Sequence, residues 1–178
     1  ENTDITTNER GAIVVNDTCE SSVPGVYAVG DVNGGPQFTY ISLDDFRIVF
    51  GALTGNSQYT LKDRKSIPYT TFLTPPLARV GLTEEDAINK GYTVKAKEML
   101  VATMPRAHVN DNLKGAFKIV VNAENDLILG ATLYSQGAEE LINLIKIAMD
   151  NNIPYTYFKN QIFTHPTMAE NLNDLCNF

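Results

Sequence analysis

Cysteine is too scarce in this sequence to hold the fold together. Cys19 and Cys176 are the only two, and so far apart they read as neither a disulfide framework nor a zinc site, which points to a reducing cytoplasm. No apolar run approaches the length of a membrane span, and no basic-then-apolar leader opens the chain. Positive charge is also short. Fourteen Lys and Arg against 21 Asp and Glu give a formal charge of −7, which argues against nucleic acid or an anionic membrane as partner, since both need clustered basic residues. There is no internal repeat and no low-complexity tract. The chain also lacks an initiator methionine: "ENTDITTNERGAIVVND" opens in a turn followed by a strand and reads as a piece of a longer protein.

What is present is an ordinary globular composition, 43% hydrophobic and 20% charged over 178 residues, enough to bury a sizeable core. "GAIVVND" reads as a short strand, and "GVYAVGD", residues 25–31, as a strand buried on both faces. "VNGGP" is a loop, after which Ile41, Leu43, Phe46, Val49, Phe50 and Leu53 recur at helical steps until Gly55. The polar stretch 56–67 has no apolar period and marks a domain boundary, giving domains 1–66 and 67–178. Beyond it come two strand-like runs around Pro75-Pro76, a helix capped by Thr83 and Asp86, and a strand from Tyr92. A hairpin turning at 123–126 follows, then a helix over 138–150 with Leu141, Ile145, Ala148 and Met149 on one side. The C-terminal part reads as partly helical with a short closing helix. This order predicts an α+β domain, an antiparallel sheet with helices on one face.

The stretch "FTHPTMAE", residues 163–170, carries one of only two histidines. Two readings of it stand side by side. Pro166 suits a first helical position and Thr167 with Glu170 has capping-box spacing, so the glutamate is a helix cap and His165 a bystander. Alternatively the chain bends at Pro166 and brings Glu170 onto His165, because five residues along one straight helix would leave the two about 140° apart. A carboxylate on one ring nitrogen then sets the tautomer and frees the other nitrogen to exchange a proton, while the start of the new helix disfavours the imidazolium. The other histidine, His108, reads as a surface loop residue.

"FTHPTMAE" with "LNDL" resembles the C-terminal signature of the class I pyridine nucleotide-disulfide oxidoreductases, which include glutathione reductase, lipoamide dehydrogenase and mercuric reductase. "PGVYAVGDVNGGPQFTYISLDD" is similar to that family's second FAD-contacting segment, "TPPLARVGLTEEDA" to the start of its dimerisation domain and "GAFKIVV" with "LILGATL" to its central hairpin. The wording of "QFTYISLDD" and "QIFTHPTMAENLNDL" looks nearest to a bacterial branch of the reactive-chlorine-resistance type. The resemblance covers essentially the whole chain. It implies a C-terminal piece of an FAD-binding domain over 1–66, a dimerisation domain over 67–178, and FAD and NAD(P)H as cofactors of the full-length parent. The partners it implies are a second copy of the chain and a small-molecule disulfide or oxidant.

The resemblance also implies roles. Asp31, after Gly30, would bond a ribityl hydroxyl of FAD; Gly34 and Gly35 would let the backbone approach the cofactor. Backbone N–H groups near Phe38 and Thr39 would face the flavin pyrimidine edge. His165 would be the acid–base for redox thiols of the partner subunit, and Glu170 would orient it, with no metal involved. The family's Cys-x4-Cys, its Gly-rich FAD fingerprint and its NAD(P)H domain have no counterpart in these residues, so the fragment is expected to be inactive alone and to lack both cofactors. Where mercuric reductases carry a vicinal cysteine pair, Cys176 stands single, next to Asn177. Two alternatives remain: a stand-alone homodimerisation module without chemistry, and a Cys-His-Glu hydrolase using Cys176 or Cys19.

Overall fold

The structure, a computed structural model, describes residues 3–56 and 58–178. Ser57, inside the stretch read as a boundary, lies outside the described residues, as do Glu1 and Asn2 at the opening. The chain divides into two compact units, Glu1–Arg64 and Lys65–Phe178. Lys65 and Ser66 fall with the second unit, where both bond Asp150.

In the first unit one long helix, α1 (Thr39–Leu53), follows a 3-10 turn at Gly30–Asn33. The residues before that turn differ from expectation. "GAIVVND" contributes only an isolated bridge, Thr7 to Ile13, and "GVYAVGD" only one from Tyr27 to Glu20. The second run was expected to be buried on both faces, yet Val26 and Val29 are exposed while Ala28 is buried. Its amides explain why: Ala28 N–H donates to Cys19 O and Gly30 N–H to the Asp45 side chain, so they bond a preceding loop and a helix rather than a neighbouring strand. The helix also turns a different face inward. Ile41, Asp45 and Ile48 are its buried residues, at i, i+4 and i+7, whereas Leu43, Phe46, Phe50 and Leu53 are exposed.

The second unit is an α+β domain. Among the described residues its strands are β1 (Tyr69–Thr71), β2 (Leu77–Gly81), β3 (Val94–Leu100), β4 (Ala116–Asn122) and β5 (Ile128–Tyr134). They form a five-stranded sheet in the order β1-β2-β5-β4-β3 with every neighbouring pair antiparallel. Its helices are α2 (Glu84–Asn89), α3 (Pro105–Val109), α4 (Ala138–Asp150), α5 (Tyr155–Lys159) and α6 (Asn171–Leu175). Cross-strand partners Phe117 and Leu133, Ile119 and Ala131 point to one face of the sheet. There they meet Ile142 and Ile145 of α4 and Leu172 and Leu175 of α6 in a single hydrophobic core.

Local chemistry accounts for the element ends. Thr83 caps α2 reciprocally with Asp86. Gly130 is required because a Cβ there would lie 2.1 Å from Leu82 O. His108, read as a loop residue, lies in α3, where Pro105 starts a single turn too short to show a period; its ring is exposed and Nε2 contacts Ala102 O.

Candidate active site

The His-Pro stretch sits between α5 and α6. The closing helix begins later than expected: Pro166 is not its first residue, α6 starts at Asn171, and residues 166–170 are a turn. The His165–Pro166 peptide is cis. His165 is therefore not at a helix N-terminus, and the expected effect of a helix start on its imidazolium does not apply.

Glu170 turns out to serve both readings at once. Its Oε1 accepts the Thr167 N–H at 3.0 Å, and the Thr167 hydroxyl accepts the Glu170 N–H at 3.3 Å, a capping box closed over a turn. Its Oε2 lies 2.7 Å from His165 Nδ1. An ionised carboxylate only accepts, so Nδ1 carries the proton and Nε2 of the neutral ring is the basic nitrogen. The imidazole is 69% exposed and the carboxylate only 19%. Burial alone raises the Glu170 pKa, but the hydrogen bond from His165 and the Thr167 N–H outweigh it, and the net direction is down.

What holds this turn was not evident in the sequence. The Thr167 hydroxyl donates to Thr164 O at 2.7 Å. The buried Asn171 donates Nδ2 to Thr167 O and Met168 O, at 3.2 and 3.1 Å. Asn173 donates to Phe158 O at 2.7 Å and to Gln161 O at 3.0 Å, pinning the chain that leads into His165 onto α6. Leu172, Leu175 and Cys176, all 0% exposed, anchor α6 in the core. An exposed imidazole thus stands on a tightly bonded base.

In the first unit the Gly30–Asn33 turn places Asp31 on an open cleft of about 570 Å³ lined also by Asn8, Arg10, Gly34 and Gln37. Gly34 has φ +75° and a Cβ there would come within 2.8 Å of Ala12, so its backbone is needed for internal packing whatever else approaches it. A Cβ on Gly35 would lie 3.1 Å from Asn33 Oδ1. The Phe38 N–H donates to Pro36 O at 3.1 Å, and Thr39 opens α1.

Comparison with known proteins decides the family. The model of the pyridine nucleotide-disulphide oxidoreductase dimerisation domain matches residues 67–176, and that of the pyridine nucleotide-disulphide oxidoreductase matches 1–45. The chain belongs to the pyridine nucleotide-disulphide oxidoreductase family. A protein of Escherichia coli (strain K12) named "Probable pyridine nucleotide-disulfide oxidoreductase RclA" is 47% identical over 98% of this chain and 40% of its own length. A mercuric reductase of Staphylococcus aureus is 33% identical over 97% of the chain and 31% of its own length. The solved structure of the HOCl-induced flavoprotein disulfide reductase RclA from Escherichia coli superposes with a TM-score of 0.93 at 46% identity, covering 97% of this chain and 40% of that one. The chain thus spans well under half the length of the relatives it matches.

Members of this oxidoreductase family are flavoproteins that use FAD and pyridine nucleotides. The donor set around Asp31 is compatible with FAD: an exposed carboxylate beside Asn8, Arg10 and Gln37 offers both acceptors and donors to a hydroxylated, phosphorylated chain.

Neither cysteine is placed for chemistry. Both are fully buried, and burial pushes the Cys19 thiol up to about 11 and the Cys176 thiol up to about 12. A hydrolase built on either has no nucleophile to offer. Among the described residues no cluster of His, Cys, Asp and Glu could hold a metal ion, and no helix is long and apolar enough to cross a membrane.

Proposed function

We propose that this chain supplies the dimerisation domain and a C-terminal part of the FAD-binding domain of a flavin-dependent NAD(P)H disulfide oxidoreductase, active as a homodimer. The observation that carries the reading is the 2.7 Å contact between Glu170 Oε2 and Nδ1 of an imidazole whose other edge is exposed. In this role Nε2 of His165 takes the proton from a redox thiol of the partner subunit, leaving a thiolate to attack a disulfide or oxidant. It then returns the proton to the departing thiolate, which leaves as a thiol. Glu170 and the Thr167 turn hold the ring and its tautomer.

Toward FAD, Asp31 would accept from a ribityl hydroxyl, Gly30, Gly34 and Gly35 would shape the turn beside it, and the start of α1 at Phe38 and Thr39 would offer its positive end to the flavin. FAD, when bound, would carry electron pairs from the nicotinamide to the redox disulfide, regenerating its two thiols. The exposed apolar strip Leu43, Phe46, Phe50 and Leu53 on α1 supports a chain that works as part of a longer protein, since such strips mark contact surfaces.

The test is subunit complementation in the full-length protein. His165→Gln is expected to leave flavin reduction by NAD(P)H intact while lowering disulfide turnover by about 10²–10⁴. Mixed dimers of His165→Gln with a thiol-deficient subunit should regain one working site. Failure of both halves to complement would refute action across the dimer, and unchanged turnover in His165→Gln would refute the acid–base role.

A further inference from the structure

Asp45 lies on α1 and is completely buried. Its Oδ2 accepts the Gly30 N–H at 2.7 Å and Asn33 Nδ2 at 2.9 Å. Its Oδ1 accepts from Arg64 Nη2 at 2.5 Å. Arg64 also donates Nε to Asp44 Oδ2 at 2.8 Å. Burial alone lowers the Arg64 pKa, but the bonds to Asp45 and Asp44 reverse this and the net direction is up, so the guanidinium stays charged.

One carboxylate therefore grips the turn on both sides of Asp31, one residue before it and two after. Asn33 extends the grip, because its own Oδ1 accepts the Gly35 N–H at 3.0 Å. Nothing separates turn from helix: Gly30 has φ +70°, and a Cβ on it would sit 2.5 Å from Ser42 Oγ. A buried ion pair gains little over apolar packing of the same volume, so stability is a poor account of why a charge stands here. What it does supply is strong, directional bonding to N–H donors at fixed positions.

We infer that Asp45, tethered by Arg64, is a positioning residue that orients the Gly30–Asn33 turn so that Asp31 meets a flavin ribityl hydroxyl. The inference rests on the proposed role of Asp31 and adds to it the residue through which that role is set.

The experiment is a double-mutant cycle in the full-length flavoprotein. FAD dissociation constants are measured for wild type, Asp31→Ala, Asp45→Asn and the double variant, and again with an FAD analogue deoxygenated in its ribityl chain. Asp45→Asn should weaken FAD binding at least tenfold, but less than threefold once Asp31 is already alanine or the hydroxyl is absent. A purely structural role would give the same loss in every background, which overturns the inference. So does unchanged affinity in Asp45→Asn when Asp31→Ala is weakened, and then the Asp31 reading survives. If Asp31→Ala binds FAD as wild type does, the Asp31 reading itself fails, and this inference with it. Should Asp45→Asn not fold, Asn33→Ala, which removes one of the two turn contacts, goes through the same cycle.

Discussion

Glu170 divides its carboxylate between two partners, with Oε2 at 2.7 Å from His165 Nδ1 and Oε1 at 3.0 Å from the Thr167 amide. Glutamine has the same shape but only one acceptor oxygen, so it cannot serve both. In Glu170→Gln the amide nitrogen must face either the Thr167 N–H or the ring. The second arrangement turns Nδ1 into an acceptor and moves the proton to Nε2. Imidazole ¹⁵N shifts of the chain should report Nδ1 protonation in wild type and its loss in the variant. In the full-length protein, disulfide turnover should fall at least about tenfold, and by less than the about 10²–10⁴ expected when the base itself is lost. A wild-type ring found protonated at Nε2 would contradict the assignment.

The same carboxylate sets a pH window. Its pKa lies below the ordinary 4.5, so its stabilisation is complete above that ordinary value and is lost as pH falls through the depressed one. The protonation step of the Glu170 carboxyl ¹³C shift should be centred below pH 4.5. Movement centred above 4.5 would mean that the carboxylate is not held as the hydrogen bonds require.

The contact between His165 and Glu170 could be anticipated because a proline between them offers a bend and the spacing is short. The sequence left the cap and the dyad as rivals; two oxygens on one carboxylate let both occur. Long-range partners were another matter. Nothing near Asn173 in sequence indicates that its amide reaches Phe158 O, and Asp45, which has no place among the apolar positions of α1, is that helix's central buried residue. The apolarity of the run 25–31 predicts a buried strand, but apolarity reports burial and not which groups the amides will bond. The antiparallel domain was far more legible, since α4 is amphipathic with buried residues on one side and β4 and β5 are apolar runs joined by a short turn.

Arg64 is the counter-ion of a carboxylate with no exposure. Arg64→Met leaves Asp45 buried and uncompensated, and should cost about 3–5 kcal/mol of stability in urea unfolding of the chain. Adding Asp45→Asn should recover most of that loss, because the stranded charge is gone. Equal destabilisation in the single and double variants would indicate that the methionine packs badly and that charge is not the cause.

Flavin retention is open to a direct measurement. The chain covers 40% of its Escherichia coli relative, and Asp31 with the start of α1 offers only part of the contacts a dinucleotide needs. Expressed by itself, the purified chain should show no stoichiometric absorbance near the flavin bands. A yellow preparation at one flavin per chain would place most of the binding energy within these residues.

Both thiols should be inert while the chain is folded. With pKa values pushed up to about 11 for Cys19 and about 12 for Cys176, at pH 8 only about one molecule in 10³ to 10⁴ carries either thiolate, and burial removes access as well. A thiol reagent must then wait for opening. In the isolated chain labelling should be slow in buffer and accelerate with urea, Cys176 following loss of the α6 packing and Cys19 following opening of the first unit. Single Cys→Ser variants separate the two rates. Fast labelling of Cys176 in the native chain would instead show a reachable thiol, and would reopen a thiol chemistry that its burial excludes.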